Sequence, residues 1–141
     1  MRAYCDSSVL GDLLLDTRES RRTRDYLTSW QQQGTVATSR LTVVELGRLA
    51  MRESTSTTAS SLNVTALPLE FMAVGDSVLR RAASLPIRFL KSLDAIHIAS
   101  ALLVQADVVL TRDRQMQRAC EELGLAIAYF DEPTGLRQQV R

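Results

Sequence analysis

The chain has 141 residues, 45% of them hydrophobic, and a formal net charge of +1. That suits one compact domain, and no apolar run reaches the ~18 residues of a membrane-spanning helix. A charge this small excludes binding to nucleic acid through a global basic field.

The opening MRAYCDSSVL lacks the charged-then-apolar layout of a secretory signal. Cys5 and Cys120 imply no disulfide framework, so the chain is expected in a reducing cytoplasm. Arg2 to Cys5 reads as a short strand. Ser7 or Ser8 caps a short helix with apolar Val9, Leu10, Leu13 and Leu14. A second helix, Ser20 to Gln33, carries Tyr26, Leu27 and Trp30 on one stripe and ends at Gly34. TVAT (35–38) is a β-branched strand, and Ser39 or Thr42 caps a helix whose apolar face is Val43, Leu46, Leu49 and Ala50. STSTTASS, Ser54 to Ser61, is a low-complexity loop or frayed helix. TALPLEF is extended, and Glu70 to Ser84 has the pattern of an amphipathic helix ending before Pro86.

DAIHIASALLVQ is apolar almost all round, which marks a helix buried on several sides. DVVLT is an apolar strand, RDRQMQRACEELG a helix closed by Gly124, and LAIAYF a last strand before a loose polar tail. Strands alternating with helices predict an α/β fold: a single-domain three-layer α/β/α arrangement with a mostly parallel central sheet. The domain is expected over 1–131, with 132–141 as the tail.

In open parallel sheets, ligands bind at the carboxyl ends of the strands. Asp6 follows the first strand and Asp113 follows DVVLT. Asp94 stands at the start of the most buried helix, and Glu45 lies one turn into the helix after the second strand. Four acids from four segments are thus expected in one pocket. Clustered carboxylates repel and raise each other's pKa, and a hard divalent cation relieves this through oxygen ligands while keeping waters for a phosphate. Two such ions clamp the attacking and leaving oxygens of a displacement, with no His or Cys nucleophile required. Each acid alone also fits a structural role: Asp6, Asp94 and Asp113 as helix caps, and Glu45 as a helix-surface acid. Glu45 nevertheless sits among Val43, Val44 and Leu46, where an unpaired charge is costly. Ser7 and Thr111 are hydroxyl neighbours suited to holding a metal water or a phosphate, or to capping. His97 is expected to pack within its helix, and Asp12, Asp16 and Asp107 to lie on the surface. Of 17 basic residues only Lys91 is a lysine; Arg112 and Arg114, beside Asp113, are candidate phosphate contacts.

YCDSSVL around Asp6, SRLTVVELGRL around Glu45, LKSLDAIHIASALL around Asp94 and ADVVLTRDRQM around Asp113 together resemble the PIN-domain nucleases. Among these the chain is most similar to the VapC-type ribonuclease toxins of toxin–antitoxin pairs, from Arg2 to about Phe130. The resemblance implies Mg²⁺- or Mn²⁺-dependent cleavage of RNA by metal-activated water, with Asp6, Glu45, Asp94 and Asp113 as catalytic metal ligands and Ser7 and Thr111 supporting them. It also implies a homodimer and a VapB-like antitoxin whose tail blocks the acidic pocket. The low net charge points to few phosphate contacts, so the expected substrate is a structured loop of transfer or ribosomal RNA.

Two other readings compete. A non-catalytic PIN-like module would bind RNA or protein without turnover, but a disused site has no reason to keep four acids together. A phosphoryl-transfer domain with Asp6 as nucleophile would need a lysine at the end of a late strand, whereas Lys91 precedes a helix.

Overall fold

The computed structural model describes residues 1–14, 18–53, 67–131 and 135–139. Five strands run parallel: β1 (Arg2–Cys5), β2 (Thr35–Ser39), β3 (Glu70–Met72), β4 (Val108–Leu110) and β5 (Ile127–Asp131). A sixth, β6 (Gly135–Gln139), pairs antiparallel with β5, and the spatial order is β3-β2-β1-β4-β5-β6. The chain builds outward from β1 through β2 to β3, then crosses back and builds the other half from β4. The order therefore reverses between β1 and β4, and the crevice of such a sheet opens at that point.

β4 is apolar along its whole length, and β1 and β2 are buried beyond their first residue, because both sheet faces are covered. On one face Ala3, Cys5, Val36, Val108 and Leu110 pack against Val9 and Leu10 of α1 (Ser7–Leu10). The same core takes Leu13 of a 3₁₀ turn (Gly11–Leu14), Tyr26, Leu27 and Trp30 of α2 (Arg18–Gln31), and Leu46 of α3 (Leu41–Glu53). On the other face Tyr4, Ala37, Val109 and Ile127 meet Ile98 and Ala101 of α5 (Ser92–Leu103) and Met116, Ala119 and Cys120 of α6 (Arg114–Leu123). Ile87 joins this second core, beyond the short α4 (Asp76–Ala83). Tyr4 and its neighbours Ala3 and Cys5 face opposite sides, as the two-residue period of a strand requires. This is the expected three-layer α/β/α arrangement.

Glycine has a specific task at two turns. Gly124 ends α6 with φ +72°, and its N–H bonds back to the helix carbonyls, a conformation that costs a side-chain-bearing residue energy. Gly34 precedes β2 with no room for a Cβ, which would stand 1.7 Å from the Met1 carbonyl oxygen.

Several local expectations change. Asp6, rather than Ser7 or Ser8, is the N-cap of α1, accepting from the Ser8 N–H. The second helix runs Arg18–Gln31. The Glu70–Ser84 segment is not one helix: Glu70–Met72 pairs with Ala37–Ser39 as the edge strand, and only Asp76–Ala83 is helical. Sheet hydrogen bonds to β2 outweigh the helical pattern there, and extended Gly75 separates the two pieces. The buried side of α3 is Thr42, Leu46 and Ala50, while Val43 and Val44 are 38% and 61% exposed. The tail expected to be loose contains β6, paired from Ile127 to Asp131. The low-complexity stretch Ser54–Ser61, Asp16 and the start of TALPLEF lie outside the described residues.

Candidate active site

Asp6 stands where β1 ends, beside β4. Its backbone N–H donates to the Leu110 carbonyl at 3.3 Å, which ties the turn to the neighbouring strand. The carboxylate is 3% exposed. Its Oδ1 accepts from the Ser8 N–H (3.0 Å) and the Ser8 hydroxyl (2.6 Å), and its Oδ2 accepts from the Thr111 hydroxyl (2.5 Å). Burial raises its pKa, and these hydrogen bonds oppose the rise without cancelling it. The loop after β4 is fastened to the same point. The Arg112 N–H donates to Ser8 Oγ at 2.9 Å and the Asp113 N–H to Thr111 Oγ1 at 3.1 Å.

Asp113 begins α6 as its N-cap, with Oδ1 accepting from the Gln115 and Met116 N–H groups at 2.8 and 3.2 Å. Capping and site geometry are compatible here, because Oδ2 takes no part in those bonds. Asp94 occupies the first turn of α5 and is half-buried. Its pKa is raised, first by burial and then by repulsion from Asp113, with Asp6 and Glu45 adding to the rise while His97 opposes it. Asp94 therefore lies within electrostatic reach of each of the other three acids.

Glu45 comes from α3, and its side chain is 19% exposed. It is half-buried because it faces this edge of the sheet, not because of Val43 and Val44, which point to solvent. Its Oε1 accepts from His97 Nε2 at 2.6 Å, and His97 Nδ1 meets the Tyr4 hydroxyl at 2.7 Å. His97 is 1% exposed and does not pair with Asp94, three residues before it.

The hydroxyl bonded to Asp6 Oδ1 is that of Ser8, while Ser7, expected to hold a metal water or a phosphate or to cap, is the first residue of α1. The signal was available, since an Asp N-cap faces the residue two positions later. Arg112, expected at a phosphate, sends a guanidinium nitrogen to Asp12 Oδ2 at 2.9 Å, and Thr23 donates to the same oxygen at 3.0 Å. Asp12 thus holds a specific contact rather than serving as a plain surface acid. Arg114 is exposed in the first turn of α6. His97, expected only to pack within its helix, instead bridges Tyr4 and Glu45; its one clue was a single ionisable group within a helix of apolar residues.

Among the described residues, no Arg or Lys side chain forms an ion pair with Asp6, Asp94 or Asp113. Nor do any three His, Cys, Asp or Glu side chains there stand close enough to close around one ion. The donors are carboxylate oxygens, and at Asp6 and Asp94 burial raises the pKa. That set fits Mg²⁺ or Mn²⁺ held by one or two carboxylates together with water and substrate oxygens; it does not fit a closed site for a dehydrated ion. An apolar groove of about 210 Å³, lined by Leu13, Leu27, Leu67 and Pro68, lies between α2 and residues 67–69 and includes none of the acids.

A family model for the PIN domain matches residues 3–122. Ribonuclease VapC47 of Mycobacterium tuberculosis (strain CDC 1551 / Oshkosh) is 30% identical over 128 residues, which are 89% of this chain and 94% of that protein. Two solved structures share the fold. VapBC2 from Rickettsia felis, bound to a DNA fragment from their promoter, aligns with a TM-score of 0.68 at 13% identity, over 84% of this chain and 92% of that one. VapC20 of Mycobacterium tuberculosis, a sarcin-ricin loop cleaving toxin, aligns with a TM-score of 0.66 at 15% identity, over 83% and 94%.

Proposed function

Because the chain belongs to the PIN-domain family, we propose that it is a metal-dependent endoribonuclease, the toxin of a toxin–antitoxin pair. The observation that carries this reading is the convergence of Asp6, Glu45, Asp94 and Asp113, with Asp6 and Asp94 both pushed toward protonation. A divalent cation bound there supplies a Lewis acid that lowers the pKa of its water and neutralises charge developing on a phosphate.

The chain's own residues prepare that site. Ser8 and Thr111 fix the Asp6 carboxylate in one orientation and share its charge, so the group need not reorganise when an ion arrives. The Thr111 hydroxyl also fixes the first peptide of the Asp113 turn, so the ends of β1 and β4 move as one piece. Asp6 and Asp94, both with raised pKa, are acids whose ionisation a cation would favour. Arg114, exposed beside Asp113, is the candidate in this reading for a phosphate of bound RNA.

A VapB-like antitoxin and a homodimer belong to the same reading, supported by the VapBC relative and by exposed apolar side chains at Val44, Met51 and Leu93. The substrate is a structured loop of transfer or ribosomal RNA, and the compartment is the cytoplasm, which suits the buried free thiols of Cys5 and Cys120. The test is cleavage of total RNA by purified protein, with fragment ends mapped by sequencing. Cleavage is expected with Mg²⁺ or Mn²⁺ and lost with chelator, Asp6→Asn or Asp94→Asn while circular dichroism stays unchanged. Undiminished cleavage in any of those three conditions overturns the proposal.

A further inference from the structure

His97 is the one fully buried imidazole in a core layer that is otherwise mostly aliphatic, and both of its ring nitrogens are engaged. The two contacts cross long stretches of chain: His97 and Tyr4 are 93 residues apart, and His97 and Glu45 are 52 apart. A carboxylate only accepts hydrogen bonds, so Nε2 carries its proton toward Glu45 in either charge state of the ring. In the neutral ring Nδ1 is then an acceptor, and the Tyr4 hydroxyl donates to it. Tyr4 and His97 also meet edge to face, with ring centroids 5.9 Å apart at 65°, so the imidazole plane has little freedom.

Burying these polar groups is costly unless every one is paired. The same space filled with aliphatic side chains would avoid that cost, so packing alone does not account for the arrangement. Its effect is to hold one oxygen of Glu45, a side chain with three rotatable torsions, against a fixed donor. The other oxygen takes no part in that bond.

The geometry points to Tyr4 and His97 as positioning residues that orient Glu45 for a divalent cation. This rests on the proposed metal-dependent function. β1 then sets two of the four acids, Asp6 directly and Glu45 through Tyr4 and His97. α5 likewise carries Asp94 and the imidazole that aims Glu45. A hydrogen-bonded partner of this kind typically changes metal affinity by about 10–100-fold when removed.

The experiment measures Mn²⁺ dissociation constants by electron paramagnetic resonance for the full chain and for His97→Leu, His97→Gln and Tyr4→Phe. Circular dichroism confirms folding, and kcat and KM on RNA are measured in parallel. His97→Leu is expected to weaken Mn²⁺ binding about 10–100-fold and Tyr4→Phe a few-fold. His97→Gln, which keeps a donor nitrogen near the Nε2 position, is expected to recover most of the affinity. The activity loss should fall on kcat rather than KM. A purely structural role would lower melting temperatures in all three variants yet leave Mn²⁺ affinity unchanged, and that result overturns the inference. If His97→Leu fails to fold, Tyr4→Phe decides, since it removes one hydroxyl and keeps the ring.

A readout without metal separates this inference from the wider reading. The His97 Nε2 proton is expected as a slowly exchanging downfield NMR resonance in the metal-free protein, shifted by Tyr4→Phe and lost in Glu45→Leu, which leaves no acceptor. Its absence refutes the contact itself. If the resonance is present but the unmodified protein binds no Mn²⁺, the metal-dependent function fails and the positioning role falls with it.

Discussion

Removing the charge of Asp94 is expected to stabilise the metal-free protein. The carboxylate is half-buried, raised by desolvation and repelled by Asp113, Asp6 and Glu45. A like charge about 8 Å away costs on the order of 1 kcal/mol at an effective dielectric of about 40. Salt damps such pairs over a Debye length of about 8 Å, and partial exposure weakens them further. Three neighbours together therefore cost on the order of 1–2 kcal/mol, and Asp94→Asn removes that cost with almost no change of shape. For a domain of this size the gain raises Tm by roughly 3–8 °C. The assay is thermal melting by circular dichroism in chelator, repeated in millimolar Mg²⁺. With the ion at 100 times its Kd, the unmodified protein gains about 2.7 kcal/mol, and the variant gains less, so the order of the two melting points narrows or reverses. An Asp94→Asn variant that melts at or below the unmodified protein in chelator would refute the idea that these acids repel one another.

Three more outcomes follow from the same geometry. Thr111→Val removes the donor to Asp6 Oδ2 and the acceptor for the Asp113 N–H; a loss of about 1–3 kcal/mol is expected in urea unfolding, and an unchanged midpoint contradicts it. Asp6 and Asp94 have pKa values raised above the usual 3.8. The native state thus binds more protons than the unfolded chain above that value, and their destabilising effect is complete at neutral pH. It is relieved as pH falls through the raised values toward 4. Lowering the pH from 7 toward 4 without metal should therefore narrow the stability gap between Asp94→Asn and the unmodified protein, as read from paired urea titrations. Gly34→Ala places a Cβ against the Met1 carbonyl, which accepts from the Thr35 N–H at 3.0 Å; about 1–3 kcal/mol of stability should be lost, visible as a lower Tm.

The acids were legible because each stands beside a local signal: Asp6 after a strand and before a helix, Asp113 in the same setting, and Asp94 in the first turn of a buried helix. Glu45 was legible for a partly mistaken reason. The valines beside it face water, and what half-buries it is the facing edge of the sheet together with His97. The cap expected at Ser7 or Ser8 falls on Asp6 instead, with Ser8 as its hydrogen-bond donor. The Glu70–Met72 strand was partly legible, since TALPLEF reads as extended through Phe71, but three residues are too few for a period to set it apart from the helical pattern after it.

The amino-acid sequence by itself determined the alternation of strands and helices, the burial of both sheet faces and the four segments that carry acids. All of these are written in spacings of a few residues, which local backbone geometry converts directly into structure. Only the tertiary structure decided that β1 lies beside β4, so that Thr111 reaches Asp6 across 105 residues of chain. It also decided that Tyr4, His97 and Glu45 meet in a line. Contacts of that kind depend on how whole elements pack and on where the sheet order reverses, and no local periodicity records either.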